Sequence, residues 1–588
     1  MTIDIRNHLL SVEKPAQYLG NEINSVHKKE FDAHMCLFFP DIYEVGMSNV
    51  GIRILYDIMN KVNGFYLERG FSPMGDMEEV MRKEKIPMFS LESKTPLSEF
   101  DLIGFSFSYE VSYTNALNAL DLAGIPFHRE ERTEKHPLIM AGGTCMMNPA
   151  PMEKFVDFMV IGDGEDTMVE IAKIFAGNPD KSKKEKLQML DGLEGVYIPE
   201  IHKGKKKIKR AIVRDLNKTE FYDKQIVPYM LIVHDRAAVE IQRGCTRGCR
   251  FCQAGMVYRP VRERTLENNM KLIEKTLEAT GYSEVSLSSL SSSDYSKIGD
   301  LLGNIQGKYG ENNVGIGLPS LRMNPYSVKV AEQITSGKKT GFTFAPEAGS
   351  QRLRDVINKG VTEKEILETA EAAVKAGWDT LKFYFMIGLP FETDEDVKGI
   401  YDLVYKVVQK CRVHSKRLSI TVSVSNFVPK PHTPFQWSRQ MNFEEMDRKH
   451  TLLRELFHRA RFMNIKIHSK AKSYLEGFLS RGDEKIGDLV ELAWKKGAKL
   501  DDYRHNFSIW KEAMDELGLD EENYLGERDL EKELPWDIMD MGFTKKYLLE
   551  ELENAEKEAL TSDCRNNCND CGIKTRIAEC GNMVADKL

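Results

Sequence analysis

The amino-terminal third of the chain alternates short apolar runs with amphipathic helical patterns. The runs carry few charges, end in glycine or another small residue, and cover 34–39, 101–108, 137–143 and 156–164. Between them lie segments such as 112–124, in which apolar residues recur at helical spacing. Strands that are buried on both faces have such continuous apolar runs. Strands that alternate with helices form parallel sheets. We therefore expect a doubly wound, Rossmann-like domain at 31–180, after a lead-in segment at 1–30.

A second series of apolar runs fills the middle of the chain, and a helical pattern follows each run. The six runs cover 237–242, 284–289, 314–319, 341–346, 380–388 and 418–427. In one of the helical patterns, Thr362 and Glu365 form a capping-box signature and Gly377 ends the helix. Six such units predict a partial (β/α)6, TIM-like barrel at 236–470, whose active site would lie at the carboxyl ends of its strands.

Two further regions depart from this alternation. The charged stretch at 181–186 and the Lys/Arg-rich segment at 196–216 predict a linker with a hairpin, at 181–235. Beyond residue 470 the pattern is mainly helical and ends in a cysteine-rich tail, so we expect a helical carboxyl-terminal region at 471–588. The predicted fold class is therefore α/β, with a helical end.

Composition narrows the class of protein. With 588 residues, 41% hydrophobic and 29% charged, the chain has the composition of a globular protein of several domains. A net charge of -8 argues against a surface covered with basic residues for nucleic acid. No uncharged apolar run approaches the about 18 residues that cross a membrane, so we expect a cytoplasmic protein without membrane contact. The ten cysteines would stay reduced there, which favours metal binding over disulfides.

Three cysteines cluster directly after the first barrel run. Cys245, Cys249 and Cys252 stand in the segment CTRGCRFC and can converge on one metal centre. Iron–sulfur clusters are ordinarily held by cysteine thiolates, and three ligands leave one iron open to a substrate. Zinc is the alternative, and it would need a fourth ligand from elsewhere in the chain.

The segment CTRGCRFC resembles the C-x3-C-x-aromatic-C signature of the radical S-adenosylmethionine (SAM) superfamily, with Phe251 at the aromatic position. A partial (β/α)6 barrel is the fold of that superfamily. The resemblance implies a 4Fe-4S cluster whose open iron chelates SAM. An electron from a donor such as flavodoxin or ferredoxin would then cleave SAM to methionine and a 5'-deoxyadenosyl radical. This radical would abstract hydrogen from a substrate whose class, small molecule, RNA or protein, the sequence leaves open.

Other loops match the positions at which this superfamily contacts SAM. The resemblance implies that Ser288 and Ser289 contact the methionyl end and that Glu347 lies near the ribose. It also implies that Gly388 and Pro390 belong to the loop near the adenine. Each of these residues fits a turn or a helix cap equally well, and Thr393 with Asp396 has the spacing of a cap.

The amino-terminal domain resembles cobalamin-binding domains. The segment DIYEVG matches the pattern D-x-H-x-x-G at Asp41 and Gly46, with Tyr43 in place of the histidine. A phenol is a much poorer cobalt ligand than imidazole, so the lower cobalt face would lack its usual protein ligand. The loops expected to embrace the corrin and the nucleotide tail contain Ser106, Ser108, Gly142, Gly143, Gly162, Gly164 and Glu165. The alternative is a doubly wound domain that binds no cofactor.

A second cysteine group lies at the end of the chain. Cys564, Cys568 and Cys571 repeat the C-x3-C-x2-C spacing, and Cys580 completes a set of four. No aromatic residue precedes Cys571, so we do not expect a second radical centre. Four thiolates suit structural zinc or an auxiliary 4Fe-4S cluster, and we favour the cluster slightly.

Nearly the whole chain resembles one family of radical SAM proteins with a cobalamin-binding-like domain. The resemblance is carried by PAQYLGNEIN, FPDIYEVGMSNVG, IMAGGTCMMNPAP, CTRGCRFCQAGMVYRP, FLSRGDEKI and LPWDIMDMGF. It implies a cobalamin-dependent radical enzyme, with methylation of an unactivated carbon as the leading hypothesis. An RNA-modifying methylthiotransferase-like enzyme is a second hypothesis. A non-catalytic sensor of metal and cobalamin is the third.

Overall fold

The computed structural model describes residues 3–219, 224–323, 327–329, 341–458, 460–500, 507–577 and 580. Its amino-terminal part is built on one six-stranded sheet, and the strands follow in the order β2-β1-β3-β4-β5-β6. These strands are β1 (Ala33–Phe39), β2 (Phe65–Phe71), β3 (Leu102–Ser106), β4 (Leu138–Gly142), β5 (Phe158–Val160) and β6 (Val196–Tyr197). All neighbours pair in parallel except β6, which runs antiparallel to β5.

Helices cover both faces of this sheet. They are α1 (Tyr43–Gly46), α2 (Val50–Asn60), α3 (Gly75–Glu84), α4 (Tyr113–Leu122), α5 (Glu165–Gly177), α6 (Lys183–Leu190) and α7 (Pro199–His202). Alternate residues of β1 enter different apolar cores: Cys36 and Phe38 pack with α4, whereas Met35 and Leu37 pack with α2 and α5. This two-sided burial explains the continuous apolar runs, and it confirms the predicted doubly wound sheet.

The predicted hairpin in the segment 181–235 is wrong. Val196–Tyr197 instead forms the edge strand β6 of the first sheet. The other half, β7 (Ile208–Lys209), pairs in parallel with β17 (Met539–Asp540) near the carboxyl terminus. The two halves thus find separate partners, and α7 between them carries the chain from one to the other.

The middle of the chain forms two parallel sheets. The first has the order β12-β11-β8, and the second has the order β13-β14-β15-β16. Their strands are β8 (Ala237–Glu240), β11 (Glu284–Ser288), β12 (Gly315–Gly317), β13 (Phe342–Glu347), β14 (Thr380–Ile387), β15 (Ser419–Asn426) and β16 (Met463–Ile467). All six predicted runs contain a strand, and β16 is a seventh that the prediction missed. Within the described ranges no ladder joins β12 to β13.

Helices follow these strands in alternation. They are α8 (Gln253–Val257), α9 (Leu266–Thr280), α10 (Ile298–Tyr309), α11 (Gln351–Val356), α12 (Glu363–Lys375), α13 (Asp394–Cys411) and α14 (Phe443–Phe457). The capping boxes predicted at α12 and α13 are present, with Thr362 paired to Glu365 and Thr393 paired to Asp396. The α/β class is therefore confirmed. A short antiparallel pair, β9 (Gln242–Arg243) and β10 (Arg262–Glu263), brackets the first cysteine segment.

The carboxyl-terminal region packs against the amino-terminal sheet. Its helices are α15 (Lys470–Arg481), α16 (Lys485–Lys495), α17 (Phe507–Glu516), α18 (Glu521–Leu525) and α19 (Lys545–Glu556). Apolar residues of α15 and α16, among them Leu475 and Leu489, share one core with β1 and α4. None of the helices in the described part of the chain is both long and apolar enough to span a membrane.

Candidate active site

The first cysteine segment forms a loop between β9 and α8. Cys245, Cys249 and Cys252 are each partly exposed at the residue level, and none is in a disulfide. Cys252 is the N-cap of α8, where its sulfur accepts a hydrogen bond from the Gly255 amide at 3.3 Å. Burial raises the pKa of all three thiols above their ordinary value. A bound cation that replaces the proton would therefore be needed to hold them as thiolates at neutral pH.

A lysine that the sequence analysis did not single out lies beside these thiols. Lys359 follows α11, and its Nζ is 3.1 Å from Glu347 Oε1. Although burial opposes it, the Glu347 carboxylate and the Cys249 thiol raise the pKa of Lys359. The neighbouring Asn358 adopts a left-handed φ of 51° and donates hydrogen bonds to the carbonyls of Arg247 and Gly248. The turn after α11 therefore holds the cysteine loop and places a cation next to it.

The predicted SAM-binding residues lie at the carboxyl ends of strands from both parallel sheets in the middle of the chain. Ser288 ends β11 and is followed by Ser289, whereas Glu347 ends β13 with a φ of 70°. Carboxyl ends of parallel strands meet at one edge of a sheet, which is where ligands of such folds bind. A non-glycine residue with positive φ at that edge is a local strain of the kind found at functional sites.

The remaining predicted SAM residues have a packing role as well. Gly388 follows β14 with a φ of +81°, and a Cβ there would lie 2.3 Å from Met441 Cε. Its amide donates to Glu392 at 2.7 Å, so the loop containing Pro390 is closed by a carboxylate. Phe251 is half-buried against an apolar cluster that contains Ala348. These contacts shape the loops whether or not a cofactor touches them.

A cavity of about 430 Å³ lies between the first sheet and the middle of the chain. Seven of the ten residues predicted to hold cobalamin line it: Ser106, Ser108, Gly142, Gly143, Gly162, Gly164 and Glu165. On the opposite side it is lined by Glu240, Arg243, Ser288 and Ser289. Asn49, Val50 and Gly51, at the start of α2, also line it and were missed by the sequence analysis. The cavity therefore lies between the loops predicted to bind cobalamin and the Ser288–Ser289 loop predicted to bind SAM.

The other three predicted cobalamin residues, Asp41, Tyr43 and Gly46, do not line this cavity. The Tyr43 ring is buried, and its hydroxyl donates to Glu22 Oε1 at 2.9 Å. Burial and the Glu22 carboxylate raise the pKa of this phenol far above its ordinary value. A Cβ on Gly46 would meet the Phe71 ring at 2.4 Å. In α1 the Tyr43 side chain points into the core and away from this cavity, and a contact of the segment with a cofactor stays a prediction.

Paired charges form one wall of the cavity. Arg243 contacts three carboxylates, at 3.1 Å from Asp163, 2.5 Å from Glu165 and 2.8 Å from Glu240. Arg262 contacts Asp163 from the other side at 2.5 Å. Although burial opposes it, the Arg262 and Arg243 guanidinium groups hold the pKa of Asp163 well below its usual range. Glu165, which was predicted to face a cofactor, is thus also part of an ion network. This network connects the loop after β5 with β8 and β9 in the middle of the chain.

The second cysteine group packs directly on the first. The Cys564 amide donates to the Thr246 carbonyl at 3.2 Å, one residue from Cys245. The adjacent Asp563 accepts from Thr246 Oγ1 at 3.1 Å and pairs with Arg247 at 2.9 Å. Burial, followed by the neighbouring Cys571, raises the pKa of Cys580 to about 11. Cys568 is the exposed member of the set. The two cysteine groups are therefore parts of one assembly.

The spacing of the thiols bears on what they could hold. Within the described ranges, no three His, Cys, Asp or Glu side chains converge closely enough for a single metal ion. A tetrahedral zinc site with Zn–S bonds of about 2.3 Å would bring its sulfurs within about 4 Å of one another. An iron–sulfur cluster binds its thiolates at separate irons, so it fits a wider arrangement.

Comparison with known proteins gives the class. Residues 239–404 match the profile of the Radical SAM superfamily, and residues 51–199 match the profile described as Radical SAM proteins, N-terminal. The chain is a radical SAM superfamily enzyme. The superfamily implies a 4Fe-4S cluster and SAM as cofactors.

Three similar proteins illustrate its relationships. An uncharacterized protein of Methanocaldococcus jannaschii is 26% identical over 494 residues, 81% of this chain and 98% of the relative. The tRNA-2-methylthio-N(6)-dimethylallyladenosine synthase of Carboxydothermus hydrogenoformans is 25% identical over 299 residues, 44% of this chain and 67% of the relative. One similar solved structure is that of the cobalamin-dependent S-adenosylmethionine radical enzyme OxsB with aqua-cobalamin and SAM bound. The two chains are 12% identical and superpose with a TM-score of 0.49. The match covers 94% of this chain and 84% of that chain.

Proposed function

We propose that the chain is a cobalamin-dependent radical SAM enzyme that methylates an unactivated carbon. The observation that carries this proposal is the cavity of about 430 Å³ at the carboxyl edge of the first sheet. In open α/β sheets, ligands bind at this edge. The cavity is lined on its far side by Ser288 and Ser289, the predicted contacts to SAM, so one space adjoins both cofactor sites.

Small and polar residues form part of the cavity wall. Gly142 and Gly164 line it, and a Cβ on either would meet its nearest neighbour only at 3.7 Å or 3.5 Å. The missing side chains thus leave room inside the cavity. Asn49, Ser106 and Ser108 add amide and hydroxyl groups for the edge of a corrin and its amides. No histidine is among the described lining residues, so none of them would offer cobalt an imidazole ligand.

When bound, cobalamin would supply a cobalt that carries a methyl group. The residues of this chain position the guest and exclude water. The ion network of Arg243 fixes the wall formed by Asp163 and Glu165, and the apolar side chains of Leu37 and Ile54 line the sheet side. Fixed, mutually paired charges keep their geometry when a ligand enters, which is what orientation of a reactive group requires.

For the radical centre, we propose that the Cys245, Cys249 and Cys252 thiolates hold the 4Fe-4S cluster. Lys359 lies beside two of these thiols, and although burial raises the pKa of Cys249 and Cys252, the charge of Lys359 opposes that rise. We assign Glu347 and Lys359 to the polar contacts of SAM, with Ser288 and Ser289 from the end of β11 in the other sheet.

For the second cysteine group, we propose an auxiliary 4Fe-4S cluster on Cys564, Cys568, Cys571 and Cys580. One observation supports the cluster: Cys564 adjoins the loop of the proposed radical centre. Arg259, buried beside Cys564 and Cys571, supplies a positive charge toward these thiols. A positive neighbour favours thiolate and an added electron alike.

Cobalamin retention tests the proposal. The cluster-reconstituted protein is incubated with hydroxocobalamin, passed through a desalting column, and scored by corrinoid absorbance per chain. Gly142→Phe fills the cavity and is expected to abolish retention. Gly303→Phe, at an exposed glycine with no neighbour within 4 Å, is the matched control and should retain cobalamin fully. Wild-type protein that is folded and cluster-loaded yet retains none would refute the proposal.

An RNA-modifying, methylthiotransferase-like activity is the second candidate. It is favoured by the tRNA-modifying relative, which covers 44% of this chain. Such an enzyme needs a further cluster in the amino-terminal domain. That domain has two cysteines, Cys36 and Cys145, and both are buried in its apolar core. Two buried thiols do not supply a cluster site. The cobalamin-dependent enzyme is therefore better supported than the RNA-modifying, methylthiotransferase-like enzyme.

A further inference from the structure

A second, smaller cavity of about 280 Å³ adjoins the large one. Ser108 and Thr144 line both cavities. The other lining residues of the small cavity are Tyr109, Glu110, Val111, Cys145, Gln253, Lys430, Lys472 and Glu476. A molecule in the small cavity would therefore lie next to whatever occupies the large one.

Three parts of the chain meet at this small cavity. Glu110 comes from the loop after β3, Lys430 comes from the segment after β15, and Lys472 and Glu476 lie one turn apart on α15. Gln253 directly follows Cys252 in the radical-centre loop. The cavity therefore borders the proposed radical source on one side and the proposed cobalamin site on the other.

Charged groups dominate its walls. Lys430 Nζ lies 2.9 Å from Glu110 Oε1 and 2.9 Å from Glu476 Oε1, so one ammonium bridges two carboxylates from different parts of the chain. Although burial opposes it, these two carboxylates raise the pKa of Lys430. Lys472 supplies a second positive charge beside Glu476. Two carboxylates and two ammonium groups leave the cavity with no net charge.

We propose that this cavity binds the substrate, and that the substrate is a small zwitterion of the amino-acid type. The inference rests on the proposed function, since it takes its position from the two cofactor sites. Glu110 and Glu476 would accept hydrogen bonds from the substrate ammonium. Lys472 and the Gln253 amide would donate to its carboxylate.

The charge balance of the walls favours a zwitterion over a charged or an apolar guest. A guest with net charge would leave that charge uncompensated in a partly buried site, which is costly. An apolar guest would strip water from the carboxylates and ammonium groups without replacing its hydrogen bonds. A zwitterion has no net charge, yet it offers both an ionic donor and an ionic acceptor. Cys145 adds a neutral wall, because burial raises the pKa of its thiol well above the ordinary value.

The test measures binding of free amino acids to the holoprotein. The cluster-reconstituted, cobalamin-treated protein is titrated calorimetrically with each common L-amino acid, with SAM saturating so that its own ammonium and carboxylate do not compete. The best amino acid is then compared with its carboxamide and its N-acetyl derivative. We expect each derivative to bind about tenfold more weakly or worse, because each loses one charged hydrogen-bonding group.

Variants locate the binding. Glu476→Gln keeps the shape of the side chain and should weaken binding of the amino acid about tenfold or more. Glu363→Gln, which removes the same charge from an exposed pair with Lys406, should change nothing. Lys472→Met gives a second variant that does not unpair the Lys430 bridge.

Three outcomes would overturn the inference: no amino acid binds, both derivatives bind as well as the parent, or the two cavity variants bind like wild type. In each case cobalamin retention and 5'-deoxyadenosine formation by the same preparation would be unaffected. Failure of the proposed function would instead appear as loss of cobalamin retention in the wild-type protein.

Discussion

The amide of Cys564 and the carbonyl of Thr246 form a hydrogen bond of 3.2 Å, which joins the last cysteine group of the chain to the first. The bond is flanked by the ion pair of Arg247 with Asp563 at 2.9 Å. Residues separated by more than half of the sequence thus form one continuous structure around the proposed radical centre. The carboxyl-terminal tail therefore packs against the loop of Cys245, Cys249 and Cys252.

The first prediction concerns the metal in that tail. Replacing Cys564 and Cys571 by alanine together should remove about one cluster's worth of iron and sulfide per chain, while the radical-centre cluster stays. Iron and zinc analysis with electron paramagnetic resonance of the reduced protein would measure this. Unchanged iron together with loss of bound zinc would contradict the cluster assignment.

The second prediction concerns the ion network of the large cavity. Arg243→Met leaves Asp163, Glu165 and Glu240 with one cation fewer and should lower the free energy of unfolding by about 3–5 kcal/mol. Lys406→Met breaks a single exposed pair with Glu363 and should cost at most about 1 kcal/mol. Denaturant titrations of both variants give the comparison. Equal, small losses would show that the network does not stabilise the domain contact.

The third prediction concerns Tyr43. Because its hydroxyl bonds Glu22 in the core, Tyr43→Phe should destabilise the fold by about 1.5–3 kcal/mol. Cobalamin retention by the remaining folded protein should be unchanged. Loss of retention at unchanged stability would instead place Tyr43 at the cofactor.

The fourth prediction concerns pH. His432 is buried with Nε2 2.9 Å from the Met147 carbonyl, and burial lowers the pKa of His432 to about 4. The unfolded chain takes up this proton near pH 6.5, before the folded chain does, so stability is full above about pH 6.5 and falls as the pH drops toward 4. The contribution at the low end is up to about 3 kcal/mol. His432→Gln should reduce the slope of stability against pH by about one proton in this window. An unchanged slope would show that the pKa of His432 is the same in the folded and the unfolded chain.

Most of the fold was predictable because the local pattern of apolar and polar residues reflects which residues are buried. The strand at 102–106 is apolar almost throughout and nearly fully buried, the strand at 380–387 alternates buried with more exposed residues, and Thr362 with Glu365 forms the capping box that their spacing predicts. Strand β16 was missed because Asn464 and Lys466 are exposed and leave only alternate apolar positions. A weak alternation of five residues is hard to distinguish from a loop.

The candidate site was predictable only where one segment carries it. Cys245, Cys249 and Cys252 share a loop, and the glycine-rich strand ends mark the cavity. The contacts of Lys359, Arg243 and Lys430 join segments that are far apart in sequence. No local sequence pattern predicts such contacts. The burial of Tyr43 could not be predicted for the same reason, because its side chain contacts Glu22 and Phe71, which lie outside the motif.

Product analysis after anaerobic incubation tests the central claim most directly. The holoprotein is reduced with dithionite in the presence of SAM, and 5'-deoxyadenosine and S-adenosylhomocysteine are quantified by mass spectrometry. We predict that wild-type protein forms both products. Replacing Cys245, Cys249 or Cys252 by alanine should abolish 5'-deoxyadenosine. Gly142→Phe, which excludes cobalamin, should abolish S-adenosylhomocysteine. Protein with a full cluster that forms no 5'-deoxyadenosine, or forms S-adenosylhomocysteine without cobalamin, would contradict the account.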